Sequence, residues 1–463
     1  MCTMSHSSTV QAAIRAFIVD NAPTHQQEEA NAWASRLNGI GNVLGYTFGY
    51  ADLPKIFPFL GKTQFEVLCA IATFALAITL FISCSIIKEE DPSLWGPPDR
   101  SGAGLFTFFR QTFRSVRRLQ PQVRKICEVQ LANWIAWFPF LFYMTTFIGQ
   151  LYVNPYLEKN EKDHNLSDRD IDQLWQEGTR VGTFALLIYS ITSFASNVFL
   201  PFLVIPTYIP RGMQKVHSVQ SMVVATSPIG SRPRTPMAIP RTPGNDPSVY
   251  FPETDPAPAK PPSRLARLLN HLRIPGLTLR RLWMFAQILF AVCMFSTFFI
   301  RTPMLGAIMT AFVGVSWSVS LWAPFALISA EIAKSADKVR EHYLKKAAKR
   351  QKSASSDSSA SASPVPKPSN PQPVEDDNEI DERDEVTAQA GIILGLHNCS
   401  ISAPQIVATL ISSAVFRALQ KPRGTPGDDS VGWVLRLAGV AALVAAYMTS
   451  RLDDRKDDDG SEE

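Results

Sequence analysis

Charged residues make up only 19% of this 463-residue chain, and long stretches hold none. Residues 129–153, 181–205, 282–300 and 303–330 contain no Asp, Glu, Lys or Arg. A soluble chain of this length would divide into about three domains, with charge spread over every surface. Here charge is confined between apolar runs of 18 residues or more, each long enough to cross a hydrocarbon core of ~30 Å as a helix. Mean hydropathy stays near zero because oily spans are averaged with very polar loops.

Cysteine is also scarce. Cys2, Cys69, Cys84, Cys127, Cys293 and Cys399 show no CxxC or Cys/His spacing, which argues against a disulfide framework or a zinc site. They read as small apolar side chains packed between helices. The phosphate-cradling GxxxxGK[ST] loop, HExxH and the nucleophile elbow are all missing. That weighs against a nucleotide-driven pump and against an enzyme. No cofactor, metal or nucleic-acid partner is expected. Residues 1–9 are short and polar, with no apolar core of a cleavable signal.

What is present is a succession of spans. They are expected at 8–23 (a weak one), 34–53, 65–87, 129–153, 181–205, 282–300, 303–332, 388–414 and 431–450. Pro404 should kink its span, since proline removes a backbone hydrogen bond. The segments 88–128, 206–281 and 333–352 are rich in Lys and Arg, whereas 154–178 carries Glu158, Glu161, Asp163, Asp168, Asp170 and Asp172. Basic loops stay cytoplasmic, so the acidic loop and its Asn165-Leu-Ser167 glycosylation pattern are expected outside, and the tail 451–463 inside. Asn398-Cys-Ser400 has the same pattern within a span and is discounted. Residues 207–264 and 353–385 are Pro/Ser/Ala-rich or acidic and read as disordered connectors, with Ser227 and Thr235 before prolines as candidate phosphorylation sites.

The expected organisation is therefore 1–87 as three spans, 88–128 as a basic central loop, and 129–206 as two spans. A loop at 207–276 follows, then two spans at 277–333, a loop at 334–386, and two spans at 387–450.

Several residues inside these spans suggest function. Gly41, Gly45 and Gly49 repeat at helical spacing and invite a neighbouring helix to approach closely, with Asn42 beside them. Asn133-Trp-Ile-Ala-Trp-Phe-Pro-Phe140 opens a span with two tryptophans. Trp134 fits an interfacial anchor, but Trp137 lies deeper. Aromatic faces stack on the C–H face of sugar rings, and Thr145, Thr146 and Gln150 follow on the same helix. Ser316, Trp317, Ser318, Ser320 and Trp322 mix polar and aromatic groups in another span, which is costly unless they face a cavity or a partner. Ionisable groups in or near spans are few: Arg15, Asp20, Arg180, Glu331 and His397, the last beside Asn398. Histidine titrates near neutral pH.

Six segments resemble the sucrose transporter family of the glycoside–pentoside–hexuronide:cation symporters, especially its fungal branch. Residues 11–20 carry its Arg-Ala-x-x-x-Asp pattern at Arg15, Ala16 and Asp20. Residues 41–46 match GNxLGY, 133–140 match NWIAWFPF, and 178–182 match GxRxG. Residues 322–328 and 403–405 match further helices. The resemblance implies a major facilitator fold of twelve helices in two bundles, of which about nine are expected here, with the first three absent. It further implies sucrose or a related α-glucoside as substrate, protons as the coupled ion, and a plasma or vacuolar membrane as host. Arg15, Asn42, Trp137, Thr145, Gln150, Trp317, Asn398 and Gln405 become candidate sugar contacts. Asp20 and His397 become candidates for proton coupling. Two departures bear on coupling: Met4 stands at the family's acidic position, and 144–150 lacks the charges of plant members. The rival expectation is a truncated, non-transporting scaffold or sensor derived from a transporter.

Overall fold

A computed structural model describes residues 27–86, 119–163, 167–205, 273–357, 393, 395–422 and 424–453. The expected first span, with Arg15 and Asp20, lies outside these residues, as do Asn165, Ser227 and Thr235. Everything regular among the described residues is helical: α1 (Gln27–Tyr50), α2 (Leu53–Ile56), α3 (Gln64–Ile86), α4 (Pro121–Asp163), α5 (Asp168–Leu203), α6 (Leu279–Ser296), α7 (Pro303–Asp357), α8 (Pro404–Leu419) and α9 (Ser430–Ser450). Among the described residues, seven stretches are long and apolar enough to cross a membrane: 64–86, 121–160, 168–203, 279–296, 303–331, 395–419 and 430–450. The chain is an integral, multi-pass, all-α membrane protein, as its hydropathy pattern predicts. α1 covers the expected span 34–53 as far as Tyr50 but is not among the seven.

The helices overrun the expected boundaries for local reasons. α4 begins at Pro121, inside the region read as a loop. Proline's missing N–H costs nothing in a first turn. The expected acidic loop 154–178 is mostly helix, because α4 runs to Asp163 and α5 starts at Asp168. A capping box holds that start: Ser167 N donates to Asp170 Oδ2 at 2.9 Å, and Asp170 N donates to Ser167 Oγ at 3.4 Å. α7 continues past the expected loop boundary at 333 to Asp357 through an Ala/Lys/Arg-rich sequence of good helix formers. The helix is interrupted at the expected Pro404: 395–402 is helical, Ala403 is a turn that keeps helical backbone angles, and Pro404 starts α8.

α4 to α9 pack around shared cores. One gathers Trp137, Phe140, Met144, Tyr189, Phe290, Met294, Trp317 and Leu435; a second gathers Val123, Ile126, Val129, Trp283, Val319 and Ile328. α1 lies along α5, with Gly39 against Phe194, Gly49 against Thr183 and Tyr50 against Phe184. At its end Arg180 reaches Tyr50 O (3.4 Å) and the Asp52 carboxylate (3.8 Å). The Lys55 ammonium bonded to Asp52, with Arg180 beyond it, holds that carboxyl below its usual range. α3 meets little but α1 and α2, and its apolar side chains, including Phe65, Ile78 and Phe81, are exposed. Cys69 and Cys84 on α3 are exposed too, unlike the buried Cys127 and Cys293. Membrane lipid accounts for such an apolar outer surface.

Of the three glycines expected to admit a close neighbour, Gly49 does so: an added Cβ would fall 2.6 Å from Thr183 Cγ2 on α5. A side chain added at Gly41 or Gly45 would meet nothing within 4 Å among the described residues. Another intimate crossing joins α7 to α5. At Gly314 on α7 an added Cβ would fall 2.5 Å from Tyr189 O on α5, where Thr192 Oγ1 also donates to Ala311 O at 2.9 Å. Gly314→Ala is expected to destabilise the chain by about 1–3 kcal/mol through overpacking. Thermal unfolding of the detergent-solubilised protein checks this; an unchanged midpoint contradicts it.

Candidate functional site

The aromatic residues of α4 and α7 converge with those of α5 and α6. The Trp137 ring lies 4.3 Å from Phe290, 4.9 Å from Trp317 and 5.7 Å from Phe140, centroid to centroid. Its Nε1 donates to Ser320 Oγ at 3.2 Å. Trp317 also meets Trp134 at 5.9 Å and Tyr189 at 6.4 Å. Tyr46 of α1 approaches Tyr189 edge-on at 6.4 Å, so α1 closes one side of the cluster. Such offset and edge-to-face pairs are favourable for rings with negative faces and positive edges.

The cluster carries polar groups that the described residues do not use. Trp317 Nε1, Trp134 Nε1, Tyr189 Oη and Ser316 Oγ are buried atoms with no hydrogen-bond partner among the described residues. Leaving a buried donor unsatisfied costs about 1–3 kcal/mol. Several such groups on one aromatic wall, at the seam between α1 and the other helices, suit a ligand with an apolar face and many hydroxyls.

The sequence candidates divide on inspection. Trp137 and Trp317 are brought together. Asn42 is half-buried one turn from Tyr46 on the same face of α1, close to the cluster. Thr145 packs on α5 instead, where a side chain at Gly182 would meet its backbone oxygen at 2.5 Å. Thr145 and the buried Gln150 lie about 12 Å and about 20 Å from Trp137 along the α4 axis. Asn398 and Gln405 are half-buried on the 395–419 stretch. Arg15 and Asp20 lie outside the described residues.

His397 is fully buried, with its ring 4.5 Å from that of Phe325. It ends a row of buried polar side chains. Thr449 Oγ1 donates to Gln287 Oε1 at 2.8 Å, and Gln287 Nε2 donates to Asn133 Oδ1 at 3.5 Å. Asn133 Nδ2 then donates to Gln130 Oε1 at 3.3 Å, and Gln130 Nε2 meets His397 Nε2 at 3.0 Å. Sequence reasoning missed Gln130, Gln287, Thr449 and Tyr189. Polar residues in apolar runs were the available signal, but each looks isolated until the fold joins them.

A second buried group was also missed. Arg436, 6% exposed inside α9, pairs with Asp429 through two hydrogen bonds of 2.5 and 3.1 Å. It donates to Thr297 O at 3.2 Å and sits 3.9 Å above the Phe298 ring.

No protein-family model matches the chain. It is 32% identical over 461 residues to a general alpha-glucoside permease of Schizosaccharomyces pombe, covering 96% of this chain and 71% of the permease. It is 28% identical over 196 residues to a sucrose transport protein of Oryza sativa subsp. japonica, covering 40% of this chain and 37% of that protein. Another sucrose transport protein, from Oryza sativa subsp. indica, is 27% identical over 203 residues, 42% of this chain and 36% of its own length.

Proposed function

Because the chain belongs to the family of the general alpha-glucoside permease and the sucrose transport proteins, we propose that it carries sucrose or a related α-glucoside across a membrane. The coupled ion is the proton, and the cycle is alternating access of two helical bundles of the major facilitator type around a midplane site. In this reading α4 to α9 form one bundle, α1 to α3 belong to the other, and the plasma membrane is the host. The observation that supports it is the wall of Trp137, Trp317 and Tyr189 with its unused buried donors. The tryptophan faces stack on the C–H face of a glucosyl ring. Trp317 Nε1, Trp134 Nε1, Tyr189 Oη and Ser316 Oγ donate to its oxygens, and Asn42 contributes from α1. Thr145, Gln150, Asn398 and Gln405 line the path rather than the centre. Arg15 balances charge at the site, and Asp20 and His397 are the groups through which protons act.

Uptake of radiolabelled sucrose and maltose by transport-deficient cells expressing the chain tests the reading. Uptake well above that of empty cells, larger at acid than at neutral external pH and abolished by a protonophore, is expected. Uptake equal to that of empty cells contradicts it and favours the non-transporting scaffold.

A further inference from the structure

The buried row from Thr449 to His397 has a property that a random set of polar contacts lacks: every hydrogen bond in it points the same way. Starting from the Thr449 hydroxyl, each amide accepts on its oxygen and donates from its nitrogen, and the row ends on His397 Nε2. In this direction the Gln130 amide donates to Nε2, so Nε2 presents its lone pair and the proton of a neutral ring sits on Nδ1. The members come from α9, α6, α4 and the 395–402 segment, and each is at most 2% exposed.

The row can also run backwards without losing a bond. A proton on His397 Nε2 makes that atom a donor, so Gln130 must present its oxygen to it. The Gln130 nitrogen then faces Asn133, which must reverse in turn, and Gln287 after it. The reversed Gln287 donates to Thr449 Oγ1. The threonine hydroxyl needs another acceptor, and Ala445 O already stands 2.8 Å away. Both directions therefore keep every bond along the row, and Thr449 is the rotor that ends either one. Networks with two discrete arrangements are what coupling between distant sites requires.

We propose that this amide row is a two-state relay that reports protonation of His397 to α6 and α9, with Thr449 as a positioning residue at its far end. The inference rests on the sugar:proton reading above for its use in transport, though not for its chemistry. The row contains no other titratable group. On the helices packed against His397, the described charged or titratable groups nearest in register are Arg124, Lys125, Cys127 and Glu128 on α4, and Glu331 and Lys334 on α7. Cys399 is on its own segment. Glu128 is tied to Arg124 and Glu331 to Lys334.

The test separates relay from scaffold. Thr449→Val removes the hydroxyl. In the forward direction this leaves the Gln287 oxygen without a donor; in the reversed direction it leaves the Gln287 N–H groups without an acceptor. Orphaned buried N–H groups are the worse tolerated of the two, so the variant favours the forward, unprotonated state. Protonation at Nε2 should then need about fivefold more protons, a displacement of ~0.7 pH unit towards acid. Thr449→Ser keeps the hydroxyl and should behave as wild type. The readout is the ring ¹⁵N spectrum of histidine-labelled full chain in nanodiscs, with the His397 signals assigned by His397→Gln. A bare Nε2 at alkaline pH, the acid displacement in Thr449→Val and its rescue in Thr449→Ser support the relay. A protonated Nε2 in the neutral ring, or Val and Ser variants that titrate alike, overturns it. The wild-type tautomer is read without any variant, so the proposal stays refutable if Thr449→Val does not fold. Wild-type sugar uptake is measured alongside. Its absence counts against the transport reading alone, and an unmoved ring spectrum with intact uptake counts against the relay alone.

Discussion

Trp137→Ala is expected to bring sugar uptake to the level of empty cells and to destabilise the chain by about 3–5 kcal/mol, the range for a large aromatic removed from a packed core. The ring is 2% exposed and touches Phe290, Trp317 and Phe140, so its loss opens a void that nothing on the rigid helices can fill. Such a variant does not by itself separate binding from folding. Trp317→Phe does, because the two tryptophans use their N–H groups differently. Trp137 Nε1 already bonds Ser320, whereas Trp317 Nε1 bonds nothing among the described residues. Trp137→Phe should lose a hydrogen bond worth about 0.5–1.5 kcal/mol and leave Ser320 unpaired. Trp317→Phe removes an unsatisfied buried donor, which offsets part of the cost of the smaller ring, and should destabilise the chain less than Trp137→Phe. If that donor is reserved for a sugar oxygen, Trp317→Phe nevertheless weakens sugar binding by roughly tenfold. Thermal midpoints and fluorescence titration with sucrose and maltose distinguish the cases. A Trp317→Phe protein that is as stable as wild type and binds sugar equally well removes Trp317 from the site.

These two tryptophans were legible in the sequence because tryptophan in the middle of an apolar run has no interfacial explanation. The membrane architecture was legible for the same kind of reason: charge is absent where a helix must meet lipid. The helix ends were not, since the acidic segment around Ser167 reads as a loop by charge, yet its spacing of Ser167 and Asp170 makes a capping box. The polar relay was hidden more deeply. Gln130 and His397 are separated by 267 positions, and an amide alone in a span carries no sign of its partner. Thr145 and Gln150 illustrate the opposite limit. They look promising because they share a helix with Trp137, but sharing a helix does not bring residues together: eight and thirteen positions put them well along its axis.

Arg436 was missed because one cation does not spoil an otherwise apolar run, and the run reads as a span regardless. Its pairing leads to an asymmetric expectation. Arg436 is buried, whereas the side chain of Asp429 is 52% exposed. Asp429→Ala leaves a buried guanidinium without its counter-charge, a class of change that costs about 3–5 kcal/mol. The remaining hydrogen bond to Thr297 O and the Phe298 face bring the expectation to the lower end, about 3 kcal/mol. Arg436→Met instead removes the buried charge and leaves a carboxylate that water already reaches. Replacing a buried ion by an apolar group of similar volume is often neutral, so this change should cost less than about 1.5 kcal/mol, mainly the lost cation–π contact. The double variant should then be more stable than Asp429→Ala alone, since it no longer buries an unpaired cation. Chemical or thermal unfolding of the three proteins in one detergent decides it. Equal losses in the two single variants, or no recovery in the double, would show that the pair acts through shape and not through the burial of charge.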